Sequence, residues 1–153
     1  MIDELVILPY DQLTDQQVEQ LFNVRHTVFV CEQEIWSEPD RDGKDPDCLH
    51  VLAIVKGEVV GTCRLLAIEE GDERMIKLGR LAVLKPYRRR GVGRAIVSRV
   101  NAYLQEKGVD GVMHAQAHLE DWYTSLGWQR EGAGFTEAAI PHVRMLYRCE
   151  KRA

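Results

Sequence analysis

A short run in the middle of the chain carries residues suited to binding a phosphate. Arg88, Gly91 and Gly93 form the pattern Arg-x-x-Gly-x-Gly, after an apolar segment and a proline and before a helical pattern. The first N–H groups of a helix lack intrahelical partners and carry positive partial charge. Glycines let a ligand approach these groups closely, and neighbouring arginines add full charge. Residues 79–97 therefore predict a polyphosphate site.

The same run excludes two other nucleotide motifs. No Gly-Lys-Ser or Gly-Lys-Thr follows the glycines, so the run is not a P-loop. Ile96 stands where a dinucleotide fingerprint requires a third small residue. The alternative to a phosphate site is a tight turn with a solvated basic face, which is how most arginine clusters end up.

Composition predicts one globular domain spanning residues 1–153. The chain is 45% hydrophobic and 29% charged, which is ordinary for a globular protein that buries one core. Its net charge of −4 argues against a general nucleic-acid binder. No apolar run approaches the ~20 residues of a membrane span, and no basic and apolar leader follows Met1. We therefore expect a cytoplasmic protein that acts on neither nucleic acid nor membrane.

The cysteines are widely spread and show no metal-ligand spacing. None belongs to a Cys-x-x-Cys pair, and no histidine pair accompanies them; the cysteines are Cys31, Cys48, Cys63 and Cys149. In a chain expected in the cytoplasm this pattern predicts reduced thiols and no metal site.

The apolar periodicity predicts a mixed α/β fold in the order β-α-β-β-β-α-β-α-β. Thr14 precedes a helical pattern, and residues 31–49, rich in Glu, Asp, Pro and Gly, read as a long loop. The later elements are strands over 51–55, 59–68 and 76–84, a helix over 91–107 that stops at Gly108, a strand over 109–118, a short helix over 119–126 closed by Gly127, and a strand over 143–149.

Motifs along most of the chain resemble those of the GNAT N-acetyltransferase superfamily, and of its ElaA-type subgroup in particular. Arg88, Gly91 and Gly93 match the acyl-CoA-binding signature Arg/Gln-x-x-Gly-x-Gly/Ala. The other matching segments are residues 25–33, Asp42, His50, residues 115–118, Trp122-Tyr123, residues 126–128, Gly134-Phe135, residues 140–142 and Met145. One departure is Ala139, where many members have Gly.

The resemblance implies a mostly antiparallel mixed sheet flanked by helices, in which the fourth and fifth strands splay apart and hold acetyl-CoA. The backbone N–H groups of Leu81 and Val83 would face the acetyl carbonyl and the pantetheine arm, and residues 88–94 would hold the pyrophosphate. The full expected cofactor-binding set is Leu81, Ala82, Val83, Arg88, Arg89, Arg90, Gly91, Val92, Gly93, Arg94, Gln116 and Tyr123.

Acyl transfer needs a proton donor for the departing thiolate, and Tyr123 occupies the position where GNAT proteins often place one. A phenol is still protonated at neutral pH and can donate to a thiolate. The alternative is a core tyrosine with an incidental hydrogen bond.

The base that deprotonates the amine is less defined by the sequence. A period of two puts His114, Gln116 and His118 on one strand face, which is typical of either an active-site lining or satisfied structural residues. Glu32 is the other candidate, on the acceptor side in this subgroup, and His142 and Arg25 are weaker ones. We take His118 and Glu32 as the predicted bases.

The acceptor is the least encoded part of the reaction. Between positions 32 and 47 the chain has seven acidic residues and only two basic ones, Arg41 and Lys44. If this loop frames the acceptor site, its negative charge would favour a cationic amine. The alternative is a solvated, negatively charged loop. Trp36 could be a recognition residue or a plug into the core.

The sequence thus predicts an N-acetyltransferase that moves an acetyl group from acetyl-CoA to a primary amine of a small molecule or peptide by direct attack in a ternary complex. No metal is required, and a homodimer is common in the family. The alternative is a non-catalytic acyl-CoA-binding sensor or interaction module, which would bind CoA and transfer nothing.

Overall fold

Eight strands of one sheet organise residues 1–150, the part of the chain described by the computed structural model. Their order across the sheet is β1-β2-β3-β4-β5-β8-β6, and β7 also pairs with β8. The strands are β1 Glu4–Pro9, β2 Leu49–Val55, β3 Glu58–Glu70, β4 Glu73–Val83, β5 Asp110–Gln116, β6 Gln129–Arg130, β7 Phe135–Glu137 and β8 Ile140–Tyr147. Neighbouring strands are antiparallel except β4 and β5, so the expected mixed, mostly antiparallel sheet is confirmed.

Three α-helices flank the sheet: α1 Asp15–Arg25, α2 Val92–Lys107 and α3 Glu120–Ser125. Thr14 caps α1 through a reciprocal capping box with Gln17, as a threonine ahead of an apolar pattern predicts. Helix α2 ends at Gly108, whose left-handed backbone (φ 65°) is the usual glycine C-cap. No helix within residues 1–150 is both long and apolar enough to cross a membrane.

The helices cover opposite faces of the sheet. Along β2 the side chains alternate, so that Val51 belongs to one buried cluster and Leu52 to another. Helix α2 buries Ile96 and Leu104 against the first face, where Trp128 is completely enclosed. Helix α1 buries Leu21 against the second face, but only beside β2, β3 and the end of β4. The rest of that second face is left for a loop to cover.

The fourth and fifth strands part midway, as the resemblance predicts. They pair over Met75–Leu78 and Asp110–Met113, and beyond these residues β4 pairs only with β3 and β5 only with β8. A bulge in the β3–β4 pairing accompanies the left-handed backbone of Arg80 (φ 54°). The parting leaves a gap between two strand ends.

Several elements differ from the sequence-based expectation. Helix α1 runs into a π-helical segment, His26–Glu32, and a 3₁₀ turn forms at Asp45–Asp47, inside the predicted loop. Strands β6 and β7 were not predicted, because two or three residues are too few to show a period of two. The last strand covers Ile140–Tyr147 rather than 143–149. Pro141 argues against a strand in the sequence, but proline is tolerated near the start of a strand, and here it is the second residue.

A buried ion-pair network fixes the loop that follows the π-helical segment. Arg25, 1% exposed, donates to both oxygens of Asp45 and through Nε to Asp40 (2.7 Å to Asp45 Oδ1 and 3.0 Å to Asp40 Oδ2). Arg64 holds Asp42 through two bonds of 2.6 and 2.8 Å, and Arg80 lies 3.1 Å from Asp40. Three arginines thus offset three aspartates of the loop.

The network makes the fold sensitive to acid. The hydrogen bonds of Arg64 hold the pKa of Asp42 well below its usual range, and Arg25 and Arg64 lower that of Asp45 against the opposing effect of burial. Because both carboxyl pKa values are lower in the folded state, their contribution to stability is complete above the unfolded carboxyl pKa of ~3.9. That contribution is lost as the pH falls below this value.

Replacing Arg25 with leucine should lower the free energy of unfolding by about 3–5 kcal/mol, because it leaves Asp45 buried without its main partner. The exposed pair of Arg74 with Glu69 offers the control: Arg74→Leu should cost less than about 0.5 kcal/mol. Urea unfolding at pH 7 measures both. Equal effects of the two substitutions would contradict a structural role for the network.

Candidate active site

A cavity of about 490 Å³ opens where β4 and β5 part. Its floor is formed by the ends of these two strands, and its roof by the loop that the ion-pair network holds in place. The lining side chains include Gln33, Ile35, Glu38, Asp42 and Lys44 from the loop, Lys77 and Leu81 from β4, His114 and Gln116 from β5, His118 and Tyr123 beyond it, and Glu137 and His142 from the β7–β8 hairpin.

Tyr123 presents an unpartnered hydroxyl to this cavity. The side chain lies in α3, is 5% exposed, and its ring contacts Trp122 edge-on at 4.9 Å between centroids. Its hydroxyl makes no hydrogen bond within residues 1–150. Burial raises the pKa of the phenol well above its usual value, with Cys63 adding to the effect. Tyr123 therefore stays protonated and has its proton free for a ligand.

A carboxylate lies beside two histidines that also line the cavity. Glu137 Oε1 lies 3.0 Å from His114 Nδ1, and Glu137 Oε2 lies 3.8 Å from His142 Nε2. Phe135 packs against both rings, at 5.0 and 6.0 Å between centroids. His142 has its Nδ1 2.7 Å from the carbonyl of Ile140, whereas the second ring nitrogen of His114 has no partner in the described chain. A carboxylate on one imidazole nitrogen with the other free is a suitable arrangement for a base.

The remaining predicted residues of the cavity are His118 and Gln116. His118 is exposed, in a 3₁₀ turn after β5, and has no carboxylate partner within residues 1–150. Gln116 donates a hydrogen bond of 3.0 Å to Gln33 and so ties β5 to the loop across the gap.

The amides of β4 turn toward the gap at its end. Leu84 donates its N–H to the carbonyl of Val60 on β3. Because successive amides of a strand alternate in direction, the N–H groups of Leu81 and Val83 point away from β3, into the gap. Ala82 is buried on the side of α1, so only its backbone lies near the gap.

The start of α2 follows directly and lies outside the lining of the cavity. Gly91 is its N-cap with a left-handed backbone (φ 83°), and no side chain caps the helix. The first backbone bond of the helix runs from Ala95 to Gly91, so the amides of Val92 to Arg94 have no helical acceptor. A Cβ on Gly93 would lie 3.4 Å from Trp122, in ordinary van der Waals contact.

Arg88 and Glu32 meet between the cavity and this helix. Arg88 donates through Nε to the carbonyl of Val83 (2.9 Å) and pairs with Glu32 at 2.7 Å. Glu32 thus lies beside Arg88 and does not line the cavity. The structure brings Leu81, Gln116, His118 and Tyr123 together, and places residues 88–94 with Glu32 beside them.

Among the charged residues of the cavity, Lys77 and Glu137 had no signal in the sequence. Lys77 lies in the middle of an apolar strand pattern. Glu137 precedes Ala138 and Ala139, which both adopt left-handed backbones (φ 51° and 61°) in a tight hairpin that usually contains glycine. The loop acids that the sequence offered for a cationic acceptor are largely used elsewhere, because Asp40, Asp42 and Asp45 pair with arginines. Trp36 is 75% exposed.

Comparison with known proteins places the chain in a family. A model of the acetyltransferase (GNAT) domain matches residues 10–149. The chain therefore belongs to the GNAT acetyltransferase family, and the predicted membership is confirmed. Among curated relatives, the uncharacterized protein YyaT of Bacillus subtilis (strain 168) is 34% identical over 137 residues, covering 86% of this chain and 89% of that protein.

Solved structures agree on the fold and the subgroup. The crystal structure of Escherichia coli ElaA matches with a TM-score of 0.84 and 29% identity, over 97% of this chain and all of that one. An acyl-CoA N-acyltransferase from Pseudomonas aeruginosa matches with a TM-score of 0.84 and 26% identity, over 94% and 99% of the two chains. The GNAT fold of the ElaA-type subgroup is thereby confirmed, and acyl transfer is the reaction class that the family supports.

The substitution Gly91→Asp should weaken CoA binding roughly a hundredfold without unfolding the protein. A carboxylate about 5 Å from a phosphate in a partly solvated site is repelled by about 3 kcal/mol. A Cβ at Gly91 meets no atom within 4 Å, so packing is not disturbed. Calorimetric titration with CoA measures the change.

Gly91→Asn is the matched control, because asparagine has the same size, tolerates a left-handed backbone and is neutral. It should bind CoA within about fivefold of the wild type. Wild-type affinity in Gly91→Asp would contradict the phosphate site at the start of α2.

Proposed function

We propose that residues 1–153 form one N-acetyltransferase domain that moves the acetyl group of acetyl-CoA to a primary amine by direct attack in a ternary complex. The observation that carries the proposal is that one cavity is lined by an unpartnered buried phenol, Tyr123, and by an imidazole held by a carboxylate, His114 with Glu137. Acyl transfer from a thioester needs one proton donor and one proton acceptor on either side of the reacting carbon.

The cofactor would bind across the gap and the start of α2. The unpaired amides of Val92, Gly93 and Arg94 and the left-handed turn at Gly91 offer donors to a pyrophosphate. Arg89, Arg90 and Arg94 lie within three residues of Gly91 in the chain and would add positive charge, as would Arg88, which pairs with Glu32. The pantetheine arm would then extend along the free edge of β4.

The carbonyl of the thioester would lie against the N–H groups of β4. Leu81 and Val83 direct these groups into the gap, where they can stabilise the negative charge that develops on the carbonyl oxygen. The pairing of β4 with β5 ends at Leu78, just before them, so this edge of the strand is left open for a ligand.

The reaction balances as a single acyl exchange. The neutral amine attacks the carbonyl carbon, the new C–N bond forms, and the C–S bond breaks to give an amide and a thiolate. The proton from the amine passes to the base, and the departing thiolate is stabilised by a hydrogen bond donated by Tyr123, whose buried hydroxyl remains protonated. The base then gives up that proton, so that the products are the amide and the CoA thiol.

We assign the base first to His114. Its Nδ1 is engaged by Glu137, which fixes the orientation of the ring. His118 is the second candidate, since it also lines the cavity, but it has no orienting carboxylate. Glu32 is the third, and its ion pair with Arg88 suits a role at the phosphate side better.

Tyr123→Phe should lower kcat by about a hundredfold and leave the Kd for CoA within about twofold, because only the proton donor is lost. The control is Tyr103→Phe on α2, a tyrosine that lies outside the cavity lining. Release of the CoA thiol, followed with a panel of primary amines, gives the rates. An unchanged kcat would remove Tyr123 from the chemistry.

His114→Gln should also lower kcat by about a hundredfold, because it removes the proton acceptor. Glu137→Gln should lower kcat less, since it removes the orienting partner and leaves the base. His118→Gln is compared in the same assay and should keep most of the rate. If His118→Gln loses the rate and His114→Gln keeps it, the base is His118 and the assignment to His114 is wrong.

The same assay separates the enzyme from the alternative function. A non-catalytic acyl-CoA-binding module would bind CoA as tightly as the enzyme and release no thiol with any amine. Thiol release that requires Tyr123 supports the transferase.

A further inference from the structure

Lys77 is a charged side chain of the cavity that the proposed chemistry does not use. It lies in the middle of β4, is half-buried, and lines the cavity below the gap. Its ammonium group makes no hydrogen bond or ion pair within residues 1–150. A partly desolvated cation without a partner is costly, and its cost falls when a ligand supplies the opposite charge.

The other cations of the cavity are either paired with aspartates or, like Lys77, without an ion pair among the described residues. Arg64 and Arg80 line the same space, but their charges are offset by Asp42 and Asp40. Lys44, at the rim, has no ion pair in the described chain. Burial lowers the pKa of Lys77, with Lys44, Arg64 and Arg80 acting in the same direction and Glu137 opposing them. The cavity thus holds two unpaired lysines on one side.

Lys77 and the candidate base share one face of the sheet. Lys77 pairs with Val112 on β5, and His114 follows Val112 by two residues, so the two side chains project from the same side. One strand spacing and two residues of rise separate them by roughly 8 Å between Cβ atoms. This separation fits a small molecule whose anionic group and amine lie a few bonds apart.

We propose that the acceptor is an aminocarboxylate of the amino-acid class, with its carboxylate bound by Lys77 and its amine directed at His114 and Glu137. The placement of the acceptor's amine rests on the proposed function. The placement of its carboxylate rests on Lys77 alone, so the carboxylate should bind whether or not the acetyl group is transferred.

The binding experiment uses CoA-saturated protein and matched product analogues. N-acetylglycine and N-acetyl-L-phenylalanine are titrated by calorimetry beside their carboxamides, which differ only in the loss of charge. At least one carboxylate should bind ten times more tightly than its carboxamide. Equal binding of every pair, or no binding of either carboxylate, would overturn the inference.

Variants then locate the carboxylate. Lys77→Met should remove at least tenfold of the affinity for the carboxylate and change that for the carboxamide by less than threefold. Lys77→Arg should keep the preference for the carboxylate over the carboxamide. That result would show that the loss in Lys77→Met comes from the missing charge and not from a general effect on folding. Lys107→Met, on the exposed last turn of α2, is the matched control and should behave as the wild type. A preference that survives Lys77→Met would place the anion elsewhere and overturn the inference.

Thiol release with the free amines separates the two proposals. Glycine and L-phenylalanine are compared with glycinamide and phenylalaninamide as acceptors. Transfer that is equal for acid and amide keeps the transferase and overturns the carboxylate site. Carboxylate binding through Lys77 with no thiol release from either series overturns the transferase and keeps the site.

Discussion

The parting of β4 and β5 is the constraint on which the rest of the structure depends. Pairing ends at Leu78 and Met113, and each strand continues with a different neighbour. The free edge of β4 then directs its amides into a gap, and the short turn after β4 delivers the chain to the uncapped start of α2. The gap in which we propose that an acyl-CoA binds thus arises from strand pairing, before any side chain is considered.

The arginines of the ion-pair network give this gap a roof and offset part of its charge. Arg25, Arg64 and Arg80 come from three different elements and meet three aspartates of one loop, so the loop is held over β4 and these three negative charges are offset. Besides Glu38 and other loop side chains, the cavity contains a phenol, a histidine held by a carboxylate and a lysine without an ion pair among the described residues. Its polarity is therefore set largely by these groups, and less by the aspartates of the loop.

Local signals explain what could be predicted from the sequence. The capping threonine of α1, the glycine at the end of α2, the Arg-x-x-Gly-x-Gly run and Tyr123 each depend on neighbours in the chain, and all lie where the sequence predicts them. Glu137 and Lys77 become site residues only through the pairing of β8 with β5 and of β5 with β4. Such long-range pairing leaves no periodicity or motif at the residues it brings together, which is why these two were missed.

The central claim, that the gap and the start of α2 bind an acyl-CoA, is tested most directly by thermal unfolding with acetyl-CoA, CoA, ATP and NADH in parallel. A ligand that binds only the folded state raises the Tm in proportion to the logarithm of its concentration once it exceeds its Kd. Acetyl-CoA and CoA should both raise the Tm progressively, while ATP and NADH should have little effect. No shift with either CoA species, or equal shifts with all four ligands, would contradict the assignment.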